Sequence, residues 1–204
     1  MEQKFIARHG LDREIIVEPK NSNIEYSLIW MHGLGDSAHG FMPIFASEDT
    51  FAPDNFKIRL LTAPEAAVTI NMGMVCNSWF DIMSLERTDT SYNFEDIQNN
   101  SKKVQQVIKE EVQALGGDPS KVFIGGFSQG CAMALHNGLI FDGGVLGGII
   151  GLSGYLFHQT TIPTILPPVL LSHGEYDRVI DIKYAVDSYK REEFSSKAGV
   201  EFHK

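Results

Sequence analysis

Basic residues are scarce in this chain of 204 residues: 17 lysines and arginines stand against 26 aspartates and glutamates, a net charge of −9. A nucleic-acid partner calls for a basic face and anionic lipid for a polybasic segment, so the first is excluded and membrane contact is expected to be transient at most. Cysteine is scarcer still. Cys76 and Cys131 are too few for a disulfide framework, so reduced thiols in a cytoplasmic protein are expected. No apolar run approaches the roughly 18 residues that a membrane helix needs. The opening residues Met1 to Lys4 carry no apolar leader, and Glu2 stands where myristoylation requires glycine. Internal repeats and low-complexity linkers are also missing, and with 43% hydrophobic composition a single domain over residues 1–204 is expected.

What is present is an alternation of apolar strands and amphipathic helices. Residues 13–19, 26–33, 57–63, 121–126, 145–154 and 168–174 read as strands, and 200–204 begin another. Helices are expected over 94–115, from Gln129 to about Phe141, and from Asp181 to about Lys197. In the first of these, Phe94, Ile97, Val104, Ile108, Val112 and Leu115 share one stripe, and Gly116-Gly117 stops it. This order predicts an α/β fold with a mainly parallel sheet covered on both faces. Ligands of such sheets bind beyond the carboxyl ends of the strands, which directs attention to His32–Gly35, Ser128, Ser153 and His173–Asp177.

Gly126-Phe127-Ser128-Gln129-Gly130 fits G-x-S-x-G between a strand and a helix. A serine on so sharp a turn needs small neighbours, because strand and helix backbones meet there. The turn lifts the hydroxyl above the sheet and aims a helix N-terminus at it, which favours an anion. A tetrahedral oxyanion needs two donors already in place. The amide of Gln129 is one candidate, and the amide of Leu34 in "HGLGDS" (32–37) is the other. By spacing alone Glu175 and Asp177 are both candidates for the acid that orients a catalytic imidazole. His32 and His173 read as strand-end histidines with local packing roles.

"HGLGDS", "APEAAVTINMGMVCNSWFDI" (63–82), "GGFSQGCAMAL" and "HGEYDRVI" together resemble, in order and spacing, the motifs of the acyl-protein thioesterases, small α/β-hydrolases of the phospholipase/carboxylesterase family. The resemblance implies hydrolysis of acyl thioesters and esters, with an acylated protein or a lysophospholipid as substrate. It places the nucleophile at Ser128, the acid at Asp177 and the oxyanion donors at Leu34 and Gln129. It implies no metal and no organic cofactor, and leaves oligomeric state open. Ala66, Ala67, Glu175 and Arg178 depart from residues common in the family, which bears on substrate preference more than on chemistry.

In this fold the histidine follows the acid in the chain. Only His203 does so, and it lies inside the strand-like "VEFHK", whereas the family's histidine sits in a loop beyond that strand. His203 is therefore not assigned as the base. The reading is of a sequence truncated at its C-terminus, with these residues alone nearly inactive and marginally stable. The long connection over 64–92 is rich in apolar side chains, and Met72, Met74 and Trp79 are candidates to line an acyl pocket. A small-ester carboxylesterase and a noncatalytic acyl-binding homologue are the alternative readings.

Overall fold

The structure, a computed structural model, describes residues 5–20, 23–47, 50, 52–84, 91–191, 194 and 199–204. Met1 to Lys4, part of the 64–92 connection and part of the helix expected up to Lys197 lie outside the described residues. Among the described residues, no helix is long and apolar enough to cross a membrane.

The strands run β1 (Phe5–His9), β2 (Ile15–Pro19), β3 (Tyr26–Met31), β4 (Phe56–Leu61), β5 (Glu65–Val68), β6 (Met74–Asn77), β7 (Val122–Phe127), β8 (Gly148–Leu152), β9 (Val169–Ser172) and β10 (Val200–His203). The helices are α1 (Ala38–Ala46), α2 (Phe94–Ala114), α3 (Gln129–Leu139) and α4 (Ile182–Tyr189). Eight strands form one sheet in the order β1-β2-β4-β3-β7-β8-β9-β10, and β5 and β6 form a separate hairpin. From β4 onward the pairings are parallel, while β1 and β2 add an antiparallel edge.

Each central strand serves two cores. Ile29, Met31, Ile124, Ile149 and Leu171 face α2 and α3 in one buried cluster. Leu28, Trp30, Ile58 and Leu60 face the other way, toward Phe45 of α1 and Phe5 of β1. Because alternate residues point to opposite faces, continuous apolar runs are what a sheet buried on both sides requires. Beyond α1 on that second face, Phe41, Phe56, Phe123, Ile150 and Leu152 line an open apolar cavity of about 540 Å³.

Four elements depart from the sequence reading. Strand β1 shows only one buried residue, Phe5, so it carries little apolar signal. Helix α1 contains Gly40 and Pro43, two residues that normally interrupt helices, and it forms because tertiary packing buries Ala38 and Phe45. The 64–92 connection holds the β5–β6 hairpin, turned by Met72 (φ 57°) and Gly73 (φ 76°). The strand expected over 145–154 is shorter, β8 covering Gly148–Leu152, and Ser153 (φ 50°) leaves extended geometry at its end.

Candidate active site

Ser128 links β7 to α3 with φ 56° and ψ −117°, a region sparsely populated by side-chain-bearing residues. Its N–H donates to Leu152 O at 2.8 Å, which ties the turn to the neighbouring strand. The flanking glycines are steric necessities. A Cβ at Gly126 would collide with the Gly130 carbonyl, and a Cβ at Gly130 with the carbonyls of Met31 and His32. Gly33 approaches from the other side, where an added Cβ would stand 3.3 Å from Ser128 Cβ.

Ser128, Gln129 and Leu34 line one cavity of about 230 Å³ together with Ile70, Asn71, Ile82, Tyr155, Val179 and Ile180. As the first residue of α3, Gln129 has no intrahelical acceptor for its N–H. Leu34 N–H takes no protein partner among the described residues, whereas its neighbours Gly35 and Asp36 both donate within the fold. Two amides without protein partners among the described residues thus belong to residues that share a cavity with Ser128, at the positive end of a helix and at the carboxyl edge of the sheet.

Of the two acidic candidates, only Asp177 is held in place. Its Oδ1 accepts from Val179 N at 2.8 Å and Ile180 N at 2.9 Å, and its side chain is 19% exposed. Those two amides belong to residues of the Ser128 cavity, while Glu175 is exposed. His173 is buried, donates from Nε2 to Ile180 O at 2.8 Å and lies 3.6 Å from Asp177 Oδ2, so it closes the acidic loop.

The buried histidines have other engagements. Ala63 N can only donate, so its 3.0 Å bond to His32 Nε2 fixes the proton on Nδ1, which donates to Gly33 O at 2.6 Å. Burial pushes the His32 pKa down, against the opposing pull of the Gly33 carbonyl. His136 bonds Thr160 Oγ1 at 2.9 Å, and burial pushes its pKa down to about 4. His203, on the edge strand β10, has a side chain 63% exposed and 3.6 Å from Glu201. No histidine lines the cavity at Ser128 among the described residues. Both cysteines are free, and burial pushes the Cys131 thiol up to about 12, which makes it unreactive.

The expected pocket residues require correction. Met72 is 93% exposed and Met74 64% exposed, on the hairpin turn and the strand after it, and neither borders the Ser128 cavity. Trp79 is buried, with its indole N–H on His32 O at 2.9 Å. The physical reason is the hairpin itself: pairing Val68 with Met74 carries the methionines outward and leaves Ile70 and Asn71 facing the cavity. Sequence reasoning also missed the Gln129 side chain. Its Oε1 accepts from Trp79 N at 2.9 Å and its Nε2 donates to Phe80 O at 2.7 Å. A polar residue at the buried start of a helix was the available signal.

Comparison with known proteins agrees with this architecture. A family model described as phospholipase/carboxylesterase matches residues 12–204. An acyl-protein thioesterase 1 of Yarrowia lipolytica is 38% identical over 168 residues, covering 78% of this chain and 72% of that protein. An acyl-protein thioesterase 1 of Cryptococcus neoformans var. neoformans is 32% identical over 180 residues, covering 84% and 74%. The crystal structure of Arabidopsis thaliana SOBER1 superposes with a TM-score of 0.72 at 31% identity, over 87% of this chain and 86% of that one. Zea mays acyl-protein thioesterase 2 shares the fold with a TM-score of 0.73 at 24% identity, over 94% and 88%. With an eight-stranded α/β-hydrolase sheet, a strained serine turn and a family match over nearly its whole length, the chain belongs to the phospholipase/carboxylesterase family.

Proposed function

We propose that this protein hydrolyses acyl thioesters and esters through an acyl-enzyme on Ser128, with acylated proteins as its substrate class and the cytoplasm as its place of action. The observation that carries the reading is the meeting of Ser128 with the unpaired amides of Leu34 and Gln129 in one cavity. Ser128 Oγ attacks the acyl carbonyl, and the two amides hold the resulting oxyanion. An imidazole takes the hydroxyl proton and returns it to the departing thiol or alcohol, and water then releases the acyl group by the same route. Asp177 suits the orienting role because Oδ1 is fixed by two amides while Oδ2 remains for an imidazole N–H. Among the described residues no histidine borders this cavity, so the base is drawn from the family resemblance and not from a named residue. Strand β10 pairs with β9 in parallel, and His203 O accepts from His173 N, so the carboxyl end of β10 lies close to the Asp177 loop.

The relatives favour neither the small-ester carboxylesterase nor the noncatalytic reading. A fluorophosphonate probe should label the protein and Ser128→Ala should abolish labelling. The same substitution should lower hydrolysis of a palmitoyl thioester by about 10³-fold or more. Undiminished labelling in Ser128→Ala overturns the assignment.

A further inference from the structure

An unpaired amide stabilises an oxyanion only if its loop cannot turn away. Several of the other polar groups in the loop from His32 to Asp36 are occupied. His32 O accepts from Trp79 Nε1 at 2.9 Å, and Gly33 O accepts from the His32 ring and from Asp36 N at 3.2 Å. Beyond Leu34 the loop is gripped twice by a single residue. Gly35 N donates to Asn77 O at 2.8 Å, and Asn77 Nδ2 donates to Asp36 O at 2.7 Å. Asn77 Oδ1 is buried with no protein partner among the described residues, so the side chain is engaged through its donor alone.

Asn77 ends β6 and leads into Ser78-Trp79-Phe80. That segment is fixed at Ser78, whose N–H donates to Pro64 O at 2.9 Å, and at Trp79 and Phe80 by the Gln129 side chain. Gln129 thus offers one oxyanion amide from its backbone while its side chain anchors the segment that holds the other.

We propose that Asn77 is a positioning residue for the oxyanion site: its two bonds to Gly35 and Asp36 set the direction of the Leu34 N–H, and the 77–80 segment couples that amide to Gln129. The inference rests on the hydrolase reading above. Nothing in it requires Asn77 to touch substrate. Removing an oxyanion donor outright costs about 10²–10³-fold, and leaving one poorly aimed should cost somewhat less.

The test uses Asn77→Ala, which removes the Nδ2 donor, and Asn77→Asp, which sets a carboxylate against Asp36 O. Both keep the main-chain bond to Gly35. In both variants, kcat on a thioester should fall about 10- to 100-fold with KM within about twofold. Affinity for a boronic acid that forms a tetrahedral Ser128 adduct should fall in parallel, an effect that general loosening of the fold would not produce with KM preserved. If kcat and boronate affinity both stay within about twofold of the unsubstituted protein, or if KM shifts while boronate affinity does not, the proposal is overturned. Absence of Ser128-dependent turnover in the unsubstituted protein would instead remove the hydrolase reading. The clamp is then judged by amide hydrogen exchange. Exchange at Gly35, whose N–H is bonded to Asn77 O, at least about tenfold faster in Asn77→Ala supports the clamp, and unchanged exchange overturns it.

Discussion

At the scale of single residues, the serine turn is an arrangement of backbones with no room to spare. Gly130 lies against Met31 O and His32 O, so a methyl group there meets the carbonyls of the strand end rather than a movable side chain. Gly130→Ala should destabilise the protein by about 1–3 kcal/mol or more, read as a lower urea midpoint, and should displace Ser128 enough to reduce probe labelling. Gly35 is a contrasting case: it has open space around its Cα, and its constraint is its φ of 80°. The serine motif and its flanking glycines were therefore legible in the sequence, since sterics alone demand them. The Asn77 and Gln129 side-chain contacts were not, because they join residues about 40 to 50 positions apart.

At the scale of elements, one ion-pair network fastens α2 and the antiparallel edge to the sheet. Arg59 in β4 forms a bidentate pair with Glu14, at 2.8 and 3.1 Å from Nη2, and its Nη1 reaches Glu110 at 2.9 Å and Glu111 at 3.2 Å. Lys57 meets Glu111 at 2.6 Å. Arg59 keeps its charge firmly: burial opposes it, but the bonds to Glu110 and Glu14 outweigh burial and raise its pKa. Replacing Arg59 with Met should leave Glu14 buried without its cation and cost about 3–5 kcal/mol, measured by urea denaturation. Arg59→Lys should recover only part of that, since an ammonium cannot reproduce the forked pairing. None of this was legible beforehand, because charges spaced along a chain do not declare which of them meet. The α2 stripe was, since its 3.6-residue period is a local property, and the helix forms over Phe94–Ala114 against an expectation of 94–115.

For the whole molecule, acid sensitivity should begin well above the carboxylate range. His32 and His136 both sit in the interior, and burial lowers both pKa values, His136 to about 4. In the unfolded chain these groups titrate near about 6.5, so between that pH and about 4 the unfolded state binds more protons than the folded one. Stability therefore rises with pH across this window and is lost as pH falls through it. His136 alone contributes on the order of 3 kcal/mol over the full window. The urea midpoint should drop between pH 7 and 5.5, and His136→Phe should flatten that drop. A midpoint independent of pH over that interval would contradict the burial of these histidines.

What the sequence by itself determined is whatever depends on neighbours in the chain: the apolar strands of a two-faced sheet, the period of α2, and a serine framed by glycines where strand must turn to helix. The resemblance of four motifs added the family, and a model match over residues 12–204 bears it out. What only the tertiary structure decided depends on contacts at long range. It gave Asp177, which the resemblance had already preferred to Glu175, two amides and a place beside the cavity, and left Glu175 exposed. It sent Met72 and Met74 outward and Trp79 into the core, and it formed α1 around a proline. A side chain's surroundings are set by where distant segments meet, and hydrophobicity along the chain, which fixed the strands, carries no record of that meeting.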